Sequence, residues 1–313
     1  MDVAAVVDGV LSADRRAVAR AISAVEDGAP ELAELSAGIY PRTGRAATIG
    51  LTGAPGVGKS TLAAELVRIA RGKDLRAAVL AIDPTSPYTG GALLGDRVRM
   101  QEHAVDPGVF IRSMATRGHL GGMALAAPEA VRILDAAGYE VILVETVGVG
   151  QAEVDVAAAT DTAVVVMAPG LGDAVQLAKA GILEAADVFA VNKADRDGAP
   201  EVAKELKQML HLGPGRDWNP PVLLASAAKA EGVEEVWSAV REHREQAERS
   251  GALAAKRRAR LLQEAESLAA ERFRVRASDA LEGDAALAED LVERRLDPYA
   301  AAGELLRRAT AEG

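Results

Sequence analysis

Gly53-Ala54-Pro55-Gly56-Val57-Gly58-Lys59-Ser60 follows the apolar run Thr48-Ile49-Gly50-Leu51 and precedes Leu62, Leu66, Ile69 and Ala70, which share one helical face. The octapeptide fits G-x-x-x-x-G-K-[ST] in full, between a strand pattern and a helix pattern, the setting that gives such a match its meaning. Glycines let successive backbone N–H groups turn inward around phosphate oxygens without Cβ clashes. The helix start adds a partial positive charge. In this reading Lys59 reaches the β- and γ-phosphates, the Ser60 hydroxyl ligates Mg²⁺, and Thr61 follows in the first helical turn.

Working outward, short apolar runs alternate with helical patterns from Ala46 to about Ala228. Beyond Thr48–Leu51 they are Ala78–Ile82, Val141–Val144, Ala163–Met167, Val188–Val191 and Val222–Leu224. Most are continuously apolar, as expected of strands buried on both faces. The alternation predicts an α/β fold of the P-loop NTPase class, a mostly parallel sheet flanked by helices. Before it, Asp2 to about Glu34 reads as short Ala-rich helices with Asp14 or Ser12 as N-caps. After about Val233 the strand signal stops and long charged helices follow, interrupted near Ser278–Asp284 and at Leu296-Asp297-Pro298. The expected organisation is an N-terminal helical extension (1–45), a P-loop domain (46–232) and a C-terminal helical region (233–313).

Composition narrows the function classes. Aromatic residues are 3% of the 313, so Ala, Val, Leu and Ile must build the core. There is no cysteine, which excludes disulfides, Cys-based zinc sites and thiol catalysis. The net charge of −10 argues against wrapping a nucleic-acid backbone. No apolar run reaches membrane-spanning length, and Met1–Val10 lacks a cationic start. A cytoplasmic protein without nucleic-acid or membrane partners is expected. His103, His119, His211 and His243 have no ligand-like spacing and read as surface or packed side chains.

The phosphate loop alone does not choose a base. Asn192-Lys193-Ala194-Asp195, at the end of the Val188–Val191 run, does. An ionised Asp195 accepts from both N1–H and the exocyclic amine of guanine, whereas adenine offers neither donor in that arrangement. The Lys193 stem can lie over the base, and backbone N–H groups of Ser226-Ala227-Ala228 can reach guanine O6. Glu145, where the Val141–Val144 run ends, reads as the second metal-shell carboxylate, and Gly148 can present its N–H to the γ-phosphate. Asp83 ends another run and Asp96 lies in the Gly91–Arg99 loop; both are oxygen donors suited to Mg²⁺. Val149 stands where many regulatory GTPases carry the glutamine that orients water. Gln151, two residues on, is the candidate substitute, so slow intrinsic hydrolysis completed by a partner is expected.

Three longer stretches resemble the MeaB/ArgK family, the methylmalonyl-CoA mutase-associated GTPases. They are Asp83-Pro84-Thr85-Ser86-Pro87-Tyr88-Thr89-Gly90-Gly91 with Gly95-Asp96-Arg97, Thr116-Arg117-Gly118-His119-Leu120-Gly121-Gly122, and Glu145-Thr146-Val147-Gly148-Val149-Gly150-Gln151. The resemblance implies a first switch at Asp83–Arg99, a second at Glu145–Glu153 and a third mobile segment at Pro169–Lys179. Many relatives read Gly-Asp-Glu-Leu-Gln in that third segment, where this chain reads Gly172-Asp173-Ala174-Val175-Gln176. It implies Mg²⁺ ligands at Ser60, Asp83, Asp96 and Glu145, in agreement with the residues chosen above, where Lys59, Glu145, Gly148 and Gln151 are the catalytic candidates. It also implies homodimers formed through C-terminal helices. The implied role is a GTP-hydrolysing chaperone of adenosylcobalamin-dependent methylmalonyl-CoA mutase, with cobalamin held by the client.

Other readings share parts of this pattern. An accessory kinase or ATPase of basic amino-acid (lysine, arginine, ornithine) transport conflicts with Asn192–Asp195. A metal-insertion GTPase would need Cys/His clusters that this chain lacks. A non-catalytic nucleotide-binding scaffold is compatible with Val149.

Overall fold

In the computed structural model, which describes residues 1–84, 103, 105–116, 122–146, 152–171, 182–212 and 217–311, the apolar runs are strands. They are β1 (Ala47–Thr52), β2 (Ala77–Pro84), β3 (Val109–Thr116), β4 (Val141–Thr146), β5 (Thr162–Met167), β6 (Val188–Val191) and β7 (Val222–Leu224). The described helices are α1 (Val3–Leu11), α2 (Arg15–Glu26), α3 (Leu32–Ile39), α4 (Lys59–Gly72), α5 (Gly122–Ala136), α6 (Ala152–Ala159), α7 (Ile182–Ala185) and α8 (Ala199–Leu212). After β7 come α9 (Val233–Ser250), α10 (Ala252–Glu282), α11 (Ala285–Val292) and α12 (Pro298–Ala311).

The strands form one sheet in the order β3-β2-β4-β1-β5-β6-β7, and every described pairing is parallel. The apolar runs are continuous because both faces are covered. Val79 and Leu143 enter one core with Leu62 and Leu66 of α4 and Trp237 of α9. Their neighbours Leu80 and Ile142 enter the opposite core with Ile22, Leu35 and Ile39 of the N-terminal helices and Ile133 of α5. A third cluster joins Met167, Phe189 and Val191 to Ala203 and Leu206 of α8.

β3 is an element that the run pattern misses. Its stretch, Val109-Phe110-Ile111-Arg112-Ser113, carries a charge in mid-strand. Arg112 pairs with Glu26 and donates to Ser23 Oγ at 2.9 Å, both on α2. Of the two N-cap candidates, Asp14 caps α2 by accepting from Ala17 N–H at 2.7 Å. Ser12 instead ends α1, its hydroxyl donating to the Gly9 carbonyl.

The chain falls into two compact units, Met1–Arg257 and Arg258–Gly313. The strand pattern ends at Leu224, yet the first unit runs on to Arg257, because α9 buries Val233, Val236, Trp237 and Val240 in the core that α4 occupies. In the second unit α10 continues to Glu282, so the interruption expected near Ser278–Asp284 falls at the far end of that stretch. Gly283 ends the helix, and Asp284 caps α11 by accepting from Leu287 N–H at 2.9 Å. Arg308 of α12 donates to Asp284 Oδ2 at 2.6 Å. No described helix is long and apolar enough to cross a membrane.

At the strands' N-terminal ends, opposite the phosphate loop, acidic side chains gather the end of α9 and the start of α10. Arg257 donates to both oxygens of buried Asp161 (3.0 and 2.5 Å) and to the Gly44 and Ala46 carbonyls (2.6 and 2.8 Å). His243 lies between Thr162 Oγ1 (2.9 Å from Nδ1) and Asp187 Oδ1 (3.3 Å from Nε2), with Lys256 3.6 Å from Asp187. Burial pushes the His243 imidazole below its usual range, against the pull of Asp187. The unfolded chain therefore binds a proton near pH 6.5 that the folded chain refuses. The stability His243 contributes is present above that pH and is lost as pH falls below it, by at most about 1.4 kcal/mol per pH unit. Urea titrations at pH 7.5 and 5.5 check this: His243→Gln should lose less stability on acidification than the unmodified protein. An equal loss would place the titration elsewhere.

Candidate functional site

The site sits where β1, β4 and β6 end. After Thr52 the backbone turns at Gly53 (φ +133°), where a Cβ would lie 2.1 Å from the Val166 carbonyl oxygen, so only glycine fits. The loop closes at Gly58 (φ +99°), where a Cβ would meet Asn192 Nδ2 at 2.4 Å. Between them Pro55 and Gly56 are exposed, Ala54 is partly covered and Val57 is buried. Helix α4 begins at Lys59, followed by Ser60 and Thr61. Lys59 is 7% exposed, and its ammonium is held over the loop by the Gly53 and Ala54 carbonyls at 2.5 and 3.1 Å.

Two further side chains tie this loop to the segments expected to recognise the base. Asn192 is buried at the end of β6. Its Nδ2 donates to the Val57 carbonyl at 2.8 Å, and its Oδ1 accepts from Ala227 N–H at 3.0 Å. Lys193 holds a left-handed backbone (φ +57°), uncommon for a residue with a Cβ, and its Nζ donates to the Gly56 carbonyl at 2.6 Å. Asp195 Oδ1 accepts from Ser226 Oγ at 2.8 Å, and Lys229 Nζ lies 3.8 Å from Oδ2. The Ser226 hydroxyl, with Lys229 and Arg196 nearby, holds the Asp195 carboxyl below the usual carboxylate range. An ionised acceptor pair thus faces the turn that Ser226, Ala227 and exposed Ala228 form.

The contact from Lys229 to Asp195 was not anticipated from the motifs. Its only sequence signal is a cation one place beyond Ser226-Ala227-Ala228. The bridge through Asn192 likewise spans 135 positions and has no local signature.

Glu145, next to last in β4, lies opposite Leu51 of β1 and is 1% exposed; Ser60 is 8% exposed in the first turn of α4. One buried carboxylate and one hydroxyl beside a phosphate loop suit Mg²⁺, which takes few protein ligands and completes its shell with phosphate and water. Among the described residues no three Asp, Glu or His side chains converge as a metal cage. The backbone of β2 runs through Asp83, but the Asp83 side chain, Asp96, Gly148, Val149 and Gln151 lie outside the described residues, as does 172–181.

The chain is similar to known proteins in both sequence and fold. The family model described as methylmalonyl Co-A mutase-associated GTPase MeaB matches residues 18–282. A protein of Pyrococcus abyssi named as a GTPase is 48% identical over 306 residues, covering 96% of this chain and 94% of its own length. GTPase ArgK of Escherichia coli is 39% identical over 236 residues, covering 72% of this chain and 71% of its own. Among solved structures, that of a LAO/AO transport system kinase superposes with a TM-score of 0.70 at 25% identity, over 97% of this chain and 96% of that one.

Proposed function

The chain belongs to the methylmalonyl Co-A mutase-associated GTPase (MeaB) family, and from that premise we propose a Mg²⁺-dependent GTPase that serves as chaperone to an adenosylcobalamin-dependent methylmalonyl-CoA mutase. GTP hydrolysis comes with the family and the P-loop fold. The observation that carries the nucleotide reading is Asn192, which joins the phosphate loop at Val57 to the base turn at Ala227.

In this proposal Gly53–Thr61 wrap the phosphates with backbone N–H groups, and Lys59 exchanges its loop carbonyls for phosphate oxygens. Asp195 takes the guanine N1–H and exocyclic amine while Ser226 keeps it oriented. Ser60 and Glu145, with Asp83 and Asp96, would hold Mg²⁺, which neutralises charge on the phosphates when bound. Gly148 and Gln151 complete the hydrolytic set. The transport-kinase name of the solved relative offers a second reading, but an ionised Asp195 disfavours adenine.

The homodimer is assigned to the C-terminal helices. Leu261, Leu268 and Val275 recur every seven residues on α10 and are each more than 40% exposed, as a helix awaiting a partner would show.

The client reading is tested with purified cognate mutase. If the mutase prefers the GTP-bound state, linkage requires GTP to tighten the complex by the same factor, typically about 5- to 150-fold. The mutase should also accelerate hydrolysis, because Val149 offers nothing to orient water. With both proteins shown active, no acceleration and no nucleotide-dependent affinity would remove the chaperone role and leave the GTPase standing.

A further inference from the structure

The two edges of the sheet are treated differently. At β3 the edge carries Arg112, and α2 packs against it. Charge and a covering helix are the usual means of blocking strand addition. At the other edge β7 is Val222-Leu223-Leu224, without a charge, and no described strand pairs beyond it. The Pro221 carbonyl accepts from Phe189 and the Ala225 N–H donates to Val191, so the intervening pattern turns the backbone groups of Val222 and Leu224 away from β6.

Alongside that edge runs a groove of about 820 Å³. One wall is the stripe of α8 that carries Lys204, Lys207, His211 and Leu212, and the other includes Val222 and Leu224. Leu212 is 85% and Leu224 44% exposed, an apolar lining beside two lysines. We propose that this groove and the open edge of β7 receive an extended segment of a partner protein as an added strand. Its apolar side chains would lie on Val222, Leu224 and Leu212, and its carboxylates at Lys204 and Lys207. Charge decides against a second copy of this chain: a two-fold edge-to-edge pairing would set the same lysines against each other. In a chain of net charge −10, a concave basic row complements an acidic segment.

The test uses the full chain and a labelled eight-residue peptide, with glutamate at positions one and three, valine at five and seven, and threonine between, made in both chain directions. Fluorescence anisotropy should show saturable binding in one direction. Replacing the glutamates by lysine, or the protein's Lys204→Glu and Lys207→Glu together, should weaken it at least tenfold. N-methylation of the amides that face β7, the threonine set in a parallel strand and the glutamate and valine set in an antiparallel one, should abolish it, and GTP hydrolysis by the double variant should be unchanged. The proposal fails if neither direction binds by about 1 mM, or if the lysine peptide, or the peptides N-methylated on either alternate set of amides, bind equally well. It fails too if Leu224→Glu dissolves a self-associated species in sedimentation, since the occupant would then be a second copy.

Discussion

Asp195→Asn moves nucleotide preference from GTP toward XTP by roughly two orders of magnitude in the affinity ratio, about 3 kcal/mol. The carboxylate presents two acceptors, matched to the two donors on the guanine edge. The amide keeps one acceptor, which Ser226 Oγ still addresses, and turns a donor toward position two of the base. Guanine then faces its amine with another N–H, while xanthine offers a carbonyl there. The larger part of the loss comes from stranding a polar group in the bound complex, not from the bond removed. Competition binding with GDP, XDP and ADP checks it. An unchanged GDP:XDP ratio would take Asp195 out of the base site.

Glu145→Gln lowers GTP turnover on the order of 10- to 100-fold while leaving GDP affinity close to that of the unmodified protein. The substitution keeps the volume of a side chain only 1% exposed, so the fold should persist. What it removes is a negative charge at the end of β4, two strand positions beyond the core residue Leu143. The phosphate grip rests on loop N–H groups and Lys59, which the change does not touch. Single-turnover hydrolysis at saturating and limiting Mg²⁺, beside GDP binding, separates the two effects. Unchanged turnover at limiting Mg²⁺ would show that Glu145 takes no part.

How much of this was legible beforehand depended on distance along the chain. The runs at β1, β2, β4, β5 and β6 could be read because their described side chains are largely buried on both faces, and β7 because it too is apolar throughout. β3 could not, since the reason a strand tolerates Arg112 is Glu26, which lies 86 positions away on α2. The phosphate loop is contiguous and was fully legible. The contacts that organise it are not contiguous: Asn192 to Val57, Lys193 to Gly56 and Lys229 to Asp195 are set by the sheet order. The interruption expected near Ser278–Asp284 falls at its far end, at Gly283 and the capping Asp284, because Ser278 and Asp279 lower helix propensity only slightly.

The bridging amide of Asn192 has a consequence for how affinity is distributed. A buried side chain that grips the phosphate loop with one end and the Ala227 turn with the other would, in the proposed site, make the two half-sites a single rigid chelator. A nucleotide that engages both then gains the free energy of each while the entropy of immobilisation is spent only once. Guanosine or pyrophosphate alone would each bear that loss in full. In the proposed site, selectivity for an intact nucleotide over its fragments would thereby rest in part on one asparagine that ties the phosphate loop to the base turn.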